Sequence, residues 1–205
     1  MDNQAYLDQI STPTGPKKNK NSNGSFLKQI FIALGIAIGL FILIAIFGGI
    51  ISSNRVSEKD SAVALKLRSD NIQTIITEYN KSIKSSDLRS TNTSLSGILS
   101  DVSSTLETYI TSTLSVKQKE YTKKVVDKEA SALEELKNEL FEAKINGMLD
   151  RTFARKMVYE TQNLINYENT LKKATGNESL KSYLSSSVNS LMVLHDTFSD
   201  FSENN

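Results

Sequence analysis

The sequence predicts an all-α protein, with one N-terminal transmembrane helix followed by an antiparallel helical bundle of four to five helices that pack through coiled-coil-like seams. Residues 30–51 form an unbroken run of apolar residues and glycines, and no charged residue falls between Lys28 and Arg55. Both prolines of the chain precede Lys17, and only three of its nine glycines follow the run. Beyond the run, apolar residues recur at steps of three and four, which is typical of packed helices.

The apolar run has the length of a membrane helix. Its 22 residues would make a helix of roughly 33 Å, against a hydrocarbon core of about 30 Å. A cleaved secretory signal is one alternative, but its apolar stretch is only about 7 to 15 residues long and precedes a small-residue cleavage site. A buried core helix is another, but such a helix rarely lacks a polar face over about six turns. An uncleaved signal anchor is the predicted role.

This run divides the chain into three predicted regions. Residues 1–28 are expected to be a disordered cytoplasmic tail, residues 29–54 the transmembrane helix, and residues 55–205 a helical extracytoplasmic domain. Basic residues are nearly balanced across the run, but a long C-terminal domain can be translocated largely regardless of its charge. We therefore expect a single-pass protein of the cell membrane with its N-terminus inside and its C-terminal domain outside. The basic residues that precede the membrane are Lys17, Lys18, Lys20 and Lys28.

Small residues recur within the run at a spacing that lets two membrane helices approach closely. Gly35 and Gly39 form a GxxxG motif, and Ala45 and Gly49 repeat the same spacing. Packing of a second membrane helix on this face is one interpretation. The other is the ordinary abundance of glycine in membrane helices.

Two helices are predicted directly after the run. The first extends from about Val56 to Ser85, and the second from roughly Thr93 to Leu114. The second is rich in Ser and Thr, which form helices poorly on their own. Residues 84–87 supply turn and cap chemistry between the two. The two apolar stripes are Leu65, Ile72, Ile76, Tyr79 and Ile83, and Leu95, Leu99, Val102, Leu106, Tyr109 and Ile110.

A third helix is predicted in the strongly charged segment after Lys117, and Asn146-Gly147 is expected to end it. Residues 111–116 contain no helix breaker, so the second and third helices could also form one long bent helix. The predicted apolar seam of the third helix is Val126, Ala130, Leu133, Leu136, Leu140 and Ala143, and its predicted solvated face is Glu134, Glu135, Glu139 and Glu142.

Two further helices complete the predicted bundle. Asp150 is the expected N-cap of the fourth and Asn177 that of the fifth. Short links at Gly147 and Gly176 favour antiparallel neighbours. The apolar faces are Phe153, Met157, Leu164, Tyr167 and Leu171, and then Leu180, Leu184, Val188, Leu191 and Phe198.

The chain offers little material for catalysis or for cofactor and metal binding. His195 is the only histidine, and adjacent residues such as His195 and Asp196 point about 100° apart on a helix, so they are not expected to form a catalytic pair. There is no cysteine, and no HExxH motif for a metal. Beyond the tail the chain carries 20 basic and 21 acidic residues of the 24 and 23 in total. This balance lacks the basic footprint of a nucleic-acid-binding protein. We predict no enzyme, no cofactor and no nucleic-acid partner.

Two resemblances bear on the cellular setting. The polar tail with Tyr6-Leu7-Asp8-Gln9-Ile10, the Pro/Lys linker, the membrane helix and the Asn/Ser/Thr/Lys-rich helical domain resemble uncharacterised single-pass envelope proteins of small-genome, host-attached bacteria. That resemblance implies a cell-surface setting and no defined activity. The segment around Gly24 is similar to the processing site of type IV pilin-like proteins, which implies cleavage after Gly24. Those proteins usually carry a glutamate where this chain has Gln29.

Three function classes follow from this layout. A membrane-anchored structural or adhesion-type interaction protein needs only a bundle that presents a face. A sensor ectodomain would need a partner in the membrane, because a tail of about 28 residues is too short for a signalling domain. An enzyme has the least support. The expected partners are the lipid bilayer, a second copy bound through the membrane helix or the bundle, and an unknown envelope or cell-surface protein.

Overall fold

The structure is a computed structural model, and it describes residues 57–204. The predicted tail and transmembrane helix lie outside the described residues, so both stay predictions. The same holds for the proposed membrane packing face and the flanking lysines: Gly35, Gly39, Ala45, Gly49, Lys17, Lys18, Lys20 and Lys28. Among the described residues, no helix combines the length and apolarity needed to cross a bilayer.

Residues 57–204 fold into five long helices and contain no strand. A short 3-10 turn, Asn80–Ser82, follows the first helix, and a second, Gln118–Glu120, precedes the third. The all-α class and the helical bundle are confirmed. The helices are α1 (Glu58–Tyr79), α2 (Ser86–Thr108), α3 (Lys123–Ile145), α4 (Leu149–Ala174) and α5 (Glu178–Asn204).

Four of the helices form a ring and the fifth lies outside it. In the order α1, α2, α5, α4, each helix packs against the next, and α3 packs against both α1 and α4. Tyr109, just past the end of α2, contacts both Glu58 at the start of α1 and Thr175 after the end of α4. The Thr122 hydroxyl, at the N-cap of α3, donates to Asp60 at 2.6 Å. Consecutive helices therefore run in opposite directions, and α3 runs parallel to α1.

The core is made by the stripes that the sequence predicts. Every member of the apolar stripes of α1, α2 and α5 is buried. On α4, four of the five predicted residues are buried, and Tyr167 packs partly exposed against the same core. The Asn177 side chain caps α5 by accepting from the Leu180 N–H at 2.9 Å, as predicted.

The second helix begins seven residues before the predicted Thr93. The Ser85 hydroxyl caps it by accepting from the Leu88 N–H at 3.3 Å, and Leu88 is itself buried. The Ser and Thr hydroxyls of the first turns donate to carbonyls four residues back, for example from Thr91 to Asp87 at 2.9 Å. Ser and Thr side chains usually compete with the helix for backbone hydrogen bonds, but here their hydroxyl groups form hydrogen bonds within the helix.

The second and third helices are separate, although residues 111–116 contain no breaker in sequence. A π-helical turn over Tyr109–Thr113 ends α2, and Ser115 takes a φ of +54°. Val116 is buried, and Tyr121 packs against the core. Burial of these two side chains reverses the direction of the chain here, although the local sequence contains no residue that would end a helix.

The predicted role of Asp150 as the N-cap of the fourth helix is wrong. Met148 occupies the N-cap and Asp150 lies in the first turn of α4. The Asp150 carboxylate instead accepts from the backbone N–H groups of Lys84 and Ser85 at 2.8 to 3.1 Å. The residue thereby joins the α1–α2 loop to the start of α4.

Two glycines provide a matched test of this backbone. Gly97 lies inside α2 with open space where a Cβ would be, so we expect Gly97→Ala to stabilise the fold by about 0.5–1 kcal/mol. Gly147 has equally open space but a φ of +72°, so Gly147→Ala should destabilise by about 1 kcal/mol or more. Thermal unfolding followed by far-UV circular dichroism measures both. Equal effects of the two substitutions would contradict the backbone assignment.

Candidate functional site

The single histidine of the chain and its acidic residues are the groups that bear on catalysis and metal binding. Among residues 57–204, no three His, Asp or Glu side chains come together in a way that could hold a metal ion. His195 Nδ1 lies 3.1 Å from an Asp196 carboxylate oxygen. The expectation that these side chains diverge is therefore wrong, but the Asp196 side chain is 80 % exposed, so water screens the contact.

Helix α3 differs most from its predicted packing. Leu136, Leu140 and Ala143 of the predicted seam are buried, whereas Val126 and Ala130 face outward. The position toward the core that Ala130 was expected to fill belongs to Glu129, which is 1 % exposed. A charged residue thus occupies the inner face of α3. Of the predicted solvated glutamates, Glu134, Glu135 and Glu142 are exposed, and Glu139 pairs with Lys156 of α4.

Glu129 belongs to a buried ion cluster at the junction of α1, α3 and α4. Arg68 of α1 lies between two carboxylates: its Nε is 2.9 Å from Glu129 Oε2, and its Nη1 is 3.3 Å from Glu160 Oε2 on α4. The three residues are 1 to 6 % exposed. The Arg68–Glu129 contact is close but lies off the hydrogen-bond direction, so it acts as an ion pair, whereas Arg68 donates a hydrogen bond to Glu160.

Neighbouring polar groups complete the surroundings of Glu129. The Tyr167 hydroxyl of α4 donates to the other carboxylate oxygen at 2.7 Å, and the Asn71 amide of α1 donates to the Glu129 carbonyl at 2.9 Å. Lys128 donates to the Tyr167 hydroxyl at 3.1 Å and lies 5.5 Å from the centre of its ring. These contacts therefore join the start of α3 to both α1 and α4.

The ionic balance of the cluster follows from its burial. Burial opposes the charge on the Arg68 guanidinium, but Glu160 and Glu129 outweigh that effect, and the pKa of Arg68 is raised. Burial raises the pKa of Glu160, and Arg68 only partly offsets this. One arginine faces two carboxylates, and the second negative charge, on Glu129, raises the pKa of Glu160 further.

A second buried carboxylate lies between α4 and α5. Glu168 is fully buried and accepts a hydrogen bond from the Ser187 hydroxyl at 2.7 Å, while its other oxygen has no hydrogen-bond partner. Burial raises the pKa of Glu168 to about 7, although Ser187 and Lys172 act in the opposite direction. This carboxyl group is therefore partly protonated near neutral pH.

The outer face of α3 carries several exposed apolar side chains. Val126 is 38 % exposed, Phe141 55 % and Ile145 64 %, and Met148 beyond the helix end is 59 % exposed. Ala130 is also exposed and lies between the first two in helical register. We call Val126, Ala130, Phe141 and Ile145 the outer stripe of α3. Exposed apolar side chains that share one helix face are a feature of interaction sites in soluble domains.

Sequence reasoning missed the ion cluster and named only part of the outer stripe. Glu129 is one of many charged residues in its segment, and no neighbouring residue in the sequence distinguishes it from the exposed glutamates. Comparison of the chain with protein-family models, curated proteins and solved structures found no match. The site is therefore defined by its geometry alone.

Removal of the central cation tests the ion cluster. We expect Arg68→Met to destabilise the fold by about 3–5 kcal/mol, because it leaves two carboxylates buried without a cation. The triple variant Arg68→Met/Glu129→Leu/Glu160→Leu should recover most of that loss, since no buried charge is left. Chemical denaturation measures the free energy of unfolding. The control is Lys123→Met, which breaks an exposed ion pair with Asp127 and should change stability by less than about 1 kcal/mol.

Glu168 should give the fold a pH dependence of known sign. The folded state holds the proton up to about pH 7, whereas the unfolded state releases it near pH 4.5, so stability falls as pH rises through this window. Glu168→Gln should reduce the slope and raise stability near pH 8 by on the order of 1–3 kcal/mol. Part of the slope should persist, because the pKa of Glu160 is also raised. An unchanged slope in unfolding curves, equal to that of the exposed control Glu142→Gln, would contradict the assignment.

Proposed function

We propose that this protein is a membrane-anchored interaction protein of the adhesion type, which presents a helical bundle outside the cell membrane and performs no catalysis. The anchor in this proposal is the apolar run at residues 30–51, with the N-terminus inside. The resemblance in layout to single-pass envelope proteins supports the same setting. The near balance of acidic and basic residues supports a protein partner over a nucleic acid.

The outer stripe of α3 is the observation that supports an interaction role most directly. The inner face of α3 already packs against α1 and α4 through Leu136, Leu140 and the buried Glu129. Phe141 and Ile145 lie mostly outside that packing, and exposed apolar side chains of this size lower solubility. A helix with a second apolar stripe fits a second neighbour, so the proposal assigns the outer stripe to a partner helix.

The two alternatives make different demands on the chain. A sensor ectodomain uses the same bundle but needs a signalling partner in the membrane. A pilin-like subunit requires cleavage after Gly24, and it would normally carry a strand-rich globular part, whereas the described residues contain no strand.

Fractionation of cells that express the full chain tests the anchor. We expect the protein to stay in the membrane pellet after alkaline carbonate washing, and a variant lacking residues 30–51 to move to the supernatant, because only the apolar run holds the chain in lipid. Alkaline phosphatase fused after residue 205 should be active, and mass spectrometry should find no N-terminus at Ser25. A full chain that washes off in carbonate would overturn the anchor, an inactive fusion would reverse the orientation, and cleavage after Gly24 would favour the pilin-like alternative.

A further inference from the structure

The outer face of α3 carries charges as well as apolar residues, and their order along the helix is informative. Positions 126, 130, 134, 137, 141 and 145 follow one another at steps of three and four, which places them along one face. The four apolar members lie toward the two ends of this face, two at each end, and Glu134 and Lys137 lie at its middle. Asp127 and Lys144 flank it, one near each end.

We propose that the outer stripe binds the same stripe of a second copy, with the two α3 helices antiparallel about a two-fold axis between Glu134 and Lys137. In this arrangement the smaller apolar side chains face the larger ones, and acidic side chains face basic ones. Each pair forms twice, as a two-fold interface requires. The pairs are Val126 with Ile145 of the second copy, Asp127 with Lys144, Ala130 with Phe141, and Glu134 with Lys137.

Charge and size complementarity select this occupant and this direction. A parallel pair of α3 helices would place Glu134 beside Glu134, Lys137 beside Lys137 and the bulky Phe141 beside itself, so like charges would repel. The two halves of this face are complementary to each other in charge and size, so a second copy is complementary to it in both properties, whereas nothing requires an unrelated partner to be. The antiparallel copy satisfies all four pairs in one register.

Contacts within the bundle leave these charges available. Lys137 Nζ is 3.8 Å from Glu78, which is at the long end of an ion-pair contact, and Asp127 pairs with the largely exposed Lys123. The first pair is half-buried at Lys137 but long, and the second is exposed; pairs of this kind contribute little to stability, so their side chains can turn to a partner at low cost. Glu134 and Lys144 are exposed.

The size of the interface sets its strength. One helix face offers less than the about 800 Å² per partner of a standard interface, so the dimer is weak between free molecules. Two copies held in one membrane meet at a high effective concentration, and this strengthens the contact. The inference rests on the proposed function, since it names the partner of the face assigned there.

Photocrosslinking of the full chain in its membrane tests the partner. A photoreactive phenylalanine analogue replaces Phe141, which is exposed and faces Ala130 of the second copy. We expect an adduct of twice the monomer mass, whose linked peptide contains residue 130. The same analogue at Glu135, which is exposed on the side of α3 toward α4, is the control and should give no such adduct. The background carries Gly35→Ile and Gly39→Ile, so that association through the membrane helix does not contribute.

A charge exchange tests the register. Glu134→Lys and Lys137→Glu should each lower the adduct yield about tenfold, because two symmetric pairs change from attraction to repulsion. The double variant Glu134→Lys/Lys137→Glu should restore it, which also excludes misfolding as the cause of the loss. Glu135→Lys makes the same change of charge off the face and should leave the yield unchanged.

The outcomes separate this inference from the proposed function. Adducts only with another protein would overturn the second copy as partner and leave the interaction role in place. No adduct at all from position 141 would overturn both. A twofold-mass adduct that is insensitive to the charge changes, or that links residue 141 to residue 141, would overturn the antiparallel arrangement.

Discussion

The ion cluster of Arg68 with Glu129 and Glu160 is the constraint on which the placement of α3 depends. A buried guanidinium that loses its carboxylates is severely destabilising, so α1, α3 and α4 must meet at one point. Sliding α3 by a single turn would move Glu129 about 5.4 Å along its axis and break the contact of 2.9 Å. The cluster therefore fixes the register of α3 and, with it, which side chains face outward. Apolar core residues of similar volume could hold the helices as firmly, but they would lack this directional contact between charges.

Helix α4 supplies the polar groups through which the bundle fixes its registers. Glu160 and Tyr167 reach toward α1 and α3, whereas Glu168 faces α5 and accepts from Ser187. The α4–α5 pair is the most extensive of the bundle, and a carboxyl group that is partly protonated near neutral pH lies inside it. Both buried carboxyls have raised pKa values, because burial outweighs their partners. These two groups therefore contribute more to stability on the acidic side of neutrality, whereas most folded-state carboxylates have the opposite effect.

Periodicity predicted the four-helix ring well because its stripes contain almost only apolar residues. The stripes of α1, α2 and α5 are buried in full. The same reasoning failed on α3, which has two apolar stripes about a quarter turn apart, so that spacing alone could not decide which one faces the core. Periodicity also could not identify Glu129 as buried, because its ionic partner Arg68 is distant in the sequence. Nor could it place Asp150, whose partners are the backbone N–H groups of another loop.

The position of α3 outside the ring explains both its few buried side chains and its exposed apolar outer face. α3 lies outside the ring, and its buried side chains are few compared with those of α4: Glu129, Leu136, Leu140 and Ala143. Much of its attachment is thus ionic and directional, while hydrophobic burial supplies less than it does for the ring helices. A partner that covers Phe141 and Ile145 adds the missing apolar burial, and by linkage it stabilises the docked state of α3. α3 has fewer buried residues than α4, so under the proposal it is the helix whose stability a partner on the outer stripe would change most.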